Sequence, residues 1–266
     1  MKHKNLIFWI VAIVVTLSMV IYQRMTGPTH PISGETTLGG ENIKYKLLTS
    51  YGGPDDAEIV FDDPNGKLEG TLTYKRYPSH DTSTQVAMSH QGGKLIAVIP
   101  HQPPAGKIEY SIELTDGTSK VVLTEEPVRI RFKGDVPAFI LIPHILLMFL
   151  AMLYSTRTGV EAIAKGSRTL KYSILTAAFL FVGGLILGPI VQKYAFGAYW
   201  TGWPFGHDLT DNKTAVAFIF WGIAIYKLYK NKEKQGWALV AVIIMTLVYM
   251  IPHSVLGSEI DYTAQP

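Results

Sequence analysis

The chain has 266 residues, 48% hydrophobic and 17% charged, with a formal net charge of +3. That balance is too small to argue for a nucleic-acid partner, and no nucleic-acid motif is present. No Cys occurs, which excludes disulfides, thiolate metal sites, iron–sulfur clusters and covalently attached c-type haem.

The apolar residues concentrate at the N-terminus and after residue 136, with a polar block between them. This is a membrane pattern, since a bilayer core needs about 20 apolar residues of helix. The first apolar run, Asn5 to Tyr22, follows Lys2 and Lys4. Its length, and "YQRMTG" after it in place of an A-x-A-like cleavage site, predict an uncleaved anchor over residues 1–24.

Residues 32–134 read as an all-β domain. Short runs rich in Val, Ile, Tyr and Thr ("IKYKLL", "AEIVF", "LEGTLTYK", "KLIAVI", "IEYSIEL", "KVVLT", "VRIRF") are separated by turn clusters such as "DDPNGK", "QGGK" and "TDGTS". Alternation puts Ile108, Tyr110, Ile112 and Leu114 on one face. About seven strands in roughly 100 residues fit an immunoglobulin-like sandwich, although the Cys…Trp…Cys signature is missing. His80, His90 and His101 lie in loop-like contexts and read as solvated loop histidines. A copper or zinc site there would need them to converge.

Four further spans follow: Val136 to Tyr154, Tyr172 to Val191, Leu209 to Leu228 and Trp237 to Ile251. They predict a four-helix membrane domain over 136–255 and a tail over 256–266. Gly184 and Gly188 form a GxxxG pair, which lets a neighbouring helix approach. Arg157, Lys165, Arg168 and Lys171 join spans two and three; Lys227, Lys230, Lys232 and Lys234 join spans four and five. By the positive-inside rule both connectors and the N-terminus are cytoplasmic. The β domain, the 192–213 loop and the C-terminus then face the periplasm of a bacterial inner membrane. The predicted fold is a five-helix membrane bundle with an inserted all-β, immunoglobulin-like domain.

The same tripeptide, Ile-Pro-His, places His144 near the outer end of span two and His253 at the outer exit of span five. His207 stands in the outer loop, and Asp208, Asp211, Glu259 and Asp261 fall at similar depth. Ionisable groups at membrane depth are costly and often functional. Structural roles are also open to them. Asp208 suits the N-cap of the helix that follows, with Asp211 near the positive end of its dipole. His253 suits the last carbonyls of span five. Tyr199, Trp200, Trp203 and Phe205 suit an interfacial aromatic belt. The chemistry that fits is axial ligation of haem by two imidazoles, a His/carboxylate site for a divalent metal, or proton exchange with a quinone. No hydrolase motif or P-loop is present.

The stretch "FGAYWTGWPFGHDLTDNKTAVAFIFWG" resembles the tryptophan-rich loop of the haem-handling proteins of cytochrome c maturation. Gly197, Trp200, Trp203 and Asp208 are the matching residue types, and His144 and His253 flank the loop. The tight Trp-x-Trp-Asp run of those proteins is absent, with "PFGH" standing before Asp208. Across nearly its full length, through "IPH", "GPIVQKYAFG", "WTGWPFGHDLTDNKT" and "IPHSVLGSEIDY", the chain resembles an uncharacterised group of bacterial five-span inner-membrane proteins with an outward β domain. The loop resemblance implies haem b held by His144 and His253, with Trp200, Trp203 and Phe205 as platform. Asp208 and His207 would orient the loop or touch the propionates. The role would be haem handling in cytochrome assembly, or membrane electron transfer. The alternatives are an accessory subunit that docks a membrane-complex or cytochrome partner through its β domain, and a metal site of His207, Asp208, Asp211 and Glu259.

Overall fold

A computed structural model describes residues 2–252 and 257–264 of the chain. The chain divides into two compact units. One comprises Met1–Gly27, Val136–Tyr194 and Ala198–Gly257; the other comprises Pro28–Asp135, Ala195–Gly197 and Ser258–Pro266.

The second unit is β. Its strands are β1 (Ile32–Leu38), β2 (Glu41–Leu47), β3 (Ser50–Gly52), β4 (Ala57–Asp62), β5 (Glu69–Arg76), β6 (Thr84–Ala87), β7 (Ser89–Gln91), β8 (Lys94–Ile99), β9 (Lys107–Thr115), β10 (Lys120–Val122) and β11 (Val128–Lys133). β1 and β2 form a hairpin. A six-stranded sheet runs β3-β11-β9-β5-β6 with β10 also on β9, and a three-stranded sheet runs β4-β8-β7. Strict alternation drives the packing. Along β9, Ile108, Tyr110, Ile112 and Leu114 are all buried, while the residues between them are half-buried. Ile59 and Phe61 of β4 and Ile130 and Phe132 of β11 enter the same core, whose apolar burial is the main stabilising term.

His90 lies on β7, where the sequence pattern places a loop. Its Nε2 is 3.1 Å from Asp63 Oδ2, and Asp63 also accepts from the backbone amides of Lys67 and Leu68, each at 3.1 Å. His101 packs its ring edge-on to Phe132, centroids 5.5 Å apart. The C-terminal segment belongs to this unit as a strap. Glu259 pairs with Lys107, Ile260 donates its N–H to the Ala105 carbonyl at 3.2 Å, and Tyr262 Oη bonds Gln102 Oε1 at 3.1 Å.

The first unit is helical: α1 (Lys2–Thr26), α2 (Ala138–Ile163), α3 (Thr169–Leu180), a π-helical turn over Phe181–Leu187, α4 (Gly188–Phe196), α5 (Leu209–Lys230) and α6 (Gly236–Met250). Three helices are long and apolar enough to cross a membrane: His3–Thr26, Ala138–Ile163 and the continuous run Thr169–Phe196. α5 has 22 residues but opens on the polar run Thr210–Thr214, and α6 is apolar but has 15 residues. Trp221 of α5 is fully buried, its Nε1 3.0 Å from Met245 Sδ of α6.

Two expectations are corrected in this unit. Span two was expected to end near Tyr154, but α2 continues to Ile163, so Arg157 is a buried helical residue rather than part of a connector. Its guanidinium lies 2.7 Å from Glu161 and donates to Asn5 Oδ1 at 2.9 Å. The rings of Phe8, Trp9 and Tyr172 surround it at 4.7–5.5 Å. A charge survives here because counter-ion, amide and π faces replace water. The tight glycines are also not the GxxxG pair. A Cβ on Gly183 would stand 2.8 Å from Leu147 Cβ, and one on Gly184 2.8 Å from Thr214 Cγ2, whereas Gly188 meets nothing closer than 3.7 Å. The i→i+5 turn winds differently from the α-helix on which the GxxxG spacing depends, so adjacent glycines serve two different neighbours.

Candidate functional site

His144 sits one residue after Pro143 inside α2. Pro143 has no N–H, which leaves the Phe139 carbonyl without its helical donor. Against this part of α2 stands the π-helical turn. His144 Nδ1 lies 2.8 Å from the Gly183 carbonyl oxygen, which also accepts the N–H of Gly188. A carbonyl can only accept, so Nδ1 carries the proton, and the neutral ring keeps Nε2 as its lone-pair nitrogen. That is the tautomer a metal-ligating imidazole needs, and a backbone carbonyl is one of its usual orienting partners.

The aromatic loop is a stapled structure. Asp208 caps α5, accepting from the amides of Thr210 at 2.8 Å and Asp211 at 3.4 Å. Its other oxygen accepts from Thr201 Oγ1 at 3.2 Å. Asp211 reaches back across the loop: its Oδ2 accepts from the amides of Thr201 at 2.7 Å and Gly202 at 3.0 Å, and from Gln192 Nε2 at 3.2 Å. Asn212 Oδ1 accepts from the Trp203 amide at 2.7 Å. Gly202 permits this approach, because a Cβ there would lie 2.6 Å from Asp211 Cβ. Both Asp are buried.

The staple holds an outward-facing surface. Trp203 is 76% and Phe205 82% exposed. Trp200 is half-buried and donates from Nε1 to the Trp203 carbonyl at 3.2 Å. His207 is exposed. The two Asp therefore organise the loop, and Trp203, Phe205 and His207 are left to meet something outside it.

Lys213, 5% exposed on α5, donates from Nζ to the Ile251 carbonyl at 2.7 Å. It thereby caps the end of α6, the task the sequence reading offered to His253. His253 itself lies outside the described residues. Glu259, part of the suggested metal set, belongs to the β unit and is paired with Lys107. Among the described residues, no three His, Asp or Glu side chains come together as a metal cluster.

Sequence reasoning missed Gln192, Thr201, Gly202, Asn212, Lys213 and Gly183. The spacing of Asp208, Asp211 and Asn212 at a helix start was the legible signal for the staple. Nothing local pointed to Lys213 or to the Gly183 carbonyl, whose partners lie 38 and 39 residues away. Comparison with protein-family models and with curated proteins gave no match to this chain.

Proposed function

We propose that this is a five-span membrane protein with an outward immunoglobulin-like domain, which binds haem at the end of the helical unit where the aromatic loop stands. The oriented imidazole of His144 carries this reading. Its Nδ1 is committed to Gly183, and its Nε2 faces no partner among the described residues. His253, in the second Ile-Pro-His tripeptide, would be the second residue to hold the haem.

The donor set fits haem better than a divalent ion. One or two imidazoles with apolar rings suit an axial site, while a hard or borderline cation calls for several His or carboxylates together. Asp208 commits both oxygens and Asp211 its Oδ2 to the loop, which suits them to position the platform. Trp203 and Phe205 offer apolar faces, and His207 is the exposed group suited to a propionate. Haem supplies one-electron chemistry when retained, or is itself the cargo when passed on. Five spans with both Lys/Arg connectors inside remain the topology that the charge pattern favours.

The test is an ultraviolet–visible titration of hemin into the purified full-length protein, wild type and His144→Ala. A saturable Soret band in the wild type, lost or strongly shifted in the variant, is expected. No band in the wild type after loading overturns the reading.

A second reading is favoured by the exposure of Trp203 and Phe205 on a hydrogen-bonded loop, which equally suits docking of another membrane subunit. In that case Trp203→Ala with Phe205→Ala abolishes co-purification of the partner while His144→Ala has no effect.

A further inference from the structure

The α2–α3 and α5–α6 connectors line an open cavity of ≈ 900 Å³. Leu170, Leu228 and Leu239 form its apolar wall, and Lys165, Lys232, Glu233 and Gln235 its polar one. Lys165 and Lys232 outnumber the single carboxylate, and Arg168, Lys230 and Lys234 stand on or beside the same connectors. Two helices begin at the cavity, α3 at Thr169 and α6 at Gly236, and neither has a side-chain cap. The Glu161 carboxylate accepts the Arg168 amide at 3.2 Å and offsets the positive end of α3, while the start of α6 adds positive potential to that of the lysines. Gln235 ties the connectors together through Nε2 to the Gly166 carbonyl at 3.1 Å.

We propose that this cavity holds the phosphate-bearing headgroup of an anionic phospholipid. The charge pattern selects an anion. The volume falls near the upper end of small-molecule sites, roughly 300–1,000 Å³, far more than a bare phosphate fills. The leucine wall gives the first acyl carbons an apolar surface, and basic pockets between spanning helices are a recurrent seat for such headgroups. Phosphatidylglycerol, with one phosphate charge on a small headgroup, is the occupant to be tested. This site is independent of the haem reading.

The test is native mass spectrometry of the full-length protein in detergent, titrated separately with dioleoylphosphatidylglycerol, dioleoylphosphatidylcholine and inorganic phosphate. Phosphatidylglycerol is expected to be retained over phosphatidylcholine. Lys165→Ala with Lys232→Ala is expected to weaken its binding about tenfold or more, the scale of two lysines close to an anionic headgroup. Gly236→Leu keeps every charge and adds a side chain where the glycine has open space, so it is expected to exclude the lipid without unfolding the helix. Lys171→Ala with Lys227→Ala removes the same charge from residues outside the cavity lining and should lose less binding than the Lys165/Lys232 variant. Equal retention of the two lipids, unchanged binding by Gly236→Leu, or an equal loss in the Lys171/Lys227 control overturns the proposal. Phosphate binding as tightly as phosphatidylglycerol would make the site one for a free anion and overturn the lipid assignment.

Discussion

The Nδ1 of His144 on α2 stands 2.8 Å from the Gly183 carbonyl in the π-helical turn, and that single contact decides which ring nitrogen is free. In ¹⁵N spectra of ring-labelled protein without hemin, His144 should appear as the Nδ1-protonated tautomer. Adding hemin should shift the Nε2 resonance. An Nε2-protonated ring would show that the carbonyl does not orient it.

Asp211 links the loop to α5 through two backbone amides and Gln192. Asp211→Ala leaves those donors unsatisfied, at a cost of roughly 1.5–3 kcal/mol for a charged hydrogen bond. Chymotrypsin cleavage at the already exposed Phe205 should then accelerate by about tenfold or more, because cleavage follows the open population of the loop. Asp211→Asn keeps one acceptor oxygen and should fall between wild type and Asp211→Ala.

Arg157 and Glu161 form a buried pair that also holds α1 through Asn5 and Trp9. Removing one partner strands a charge. Arg157→Ala should destabilise by about 3–5 kcal/mol, with the double variant Arg157→Ala, Glu161→Ala losing less than the two single losses together. Thermal unfolding in detergent measures both. Full additivity would mean that the two side chains are not energetically coupled.

Asp63 gives the β domain a pH-dependent element. Burial alone would raise its carboxyl pKa, but the amides of Leu68 and Lys67 and the His90 ring more than offset this and hold it below the ordinary value. A group with a lowered folded pKa stabilises fully above its unfolded pKa, about 3.9, and loses that contribution as pH falls through the folded value. The difference in Tm between wild type and Asp63→Asn should therefore be constant above about pH 5 and shrink below about pH 4. A gap that persists at lower pH would assign the effect to packing.

The natural absence of Cys makes topology directly measurable. In intact cells, a membrane-impermeant maleimide should label Ser83→Cys in the β domain and spare Ser167→Cys in the α2–α3 connector, with both labelled after lysis. Labelling of Ser167→Cys in intact cells would reverse the orientation.

Much of the secondary structure was legible, and the misses have physical causes. β4, β9 and β11 coincide with β-branched runs because each buries one alternating face, and β8 buries a continuous apolar stretch. β6 and β7 were not marked because every residue in them is exposed; only pairing to β5 and β8 makes them strands. The N-cap at Asp208 was readable because capping is local. The roles of Lys213 and Arg157 were not, because each depends on a partner from a distant segment, and the loop partners of Asp211 depend on how the loop folds back.

By itself the sequence determined where apolar helix and alternating strand must form, since hydropathy and period act along the chain. It also determined that no thiol chemistry occurs. Only the tertiary structure decided that Arg157 is buried in an aromatic cage, that Asp211 staples the loop, that Lys213 closes α6, and that Gly183 orients His144. Those are contacts across space, where burial strengthens a polar interaction and demands its partner, and neither effect leaves a local mark in the order of residues.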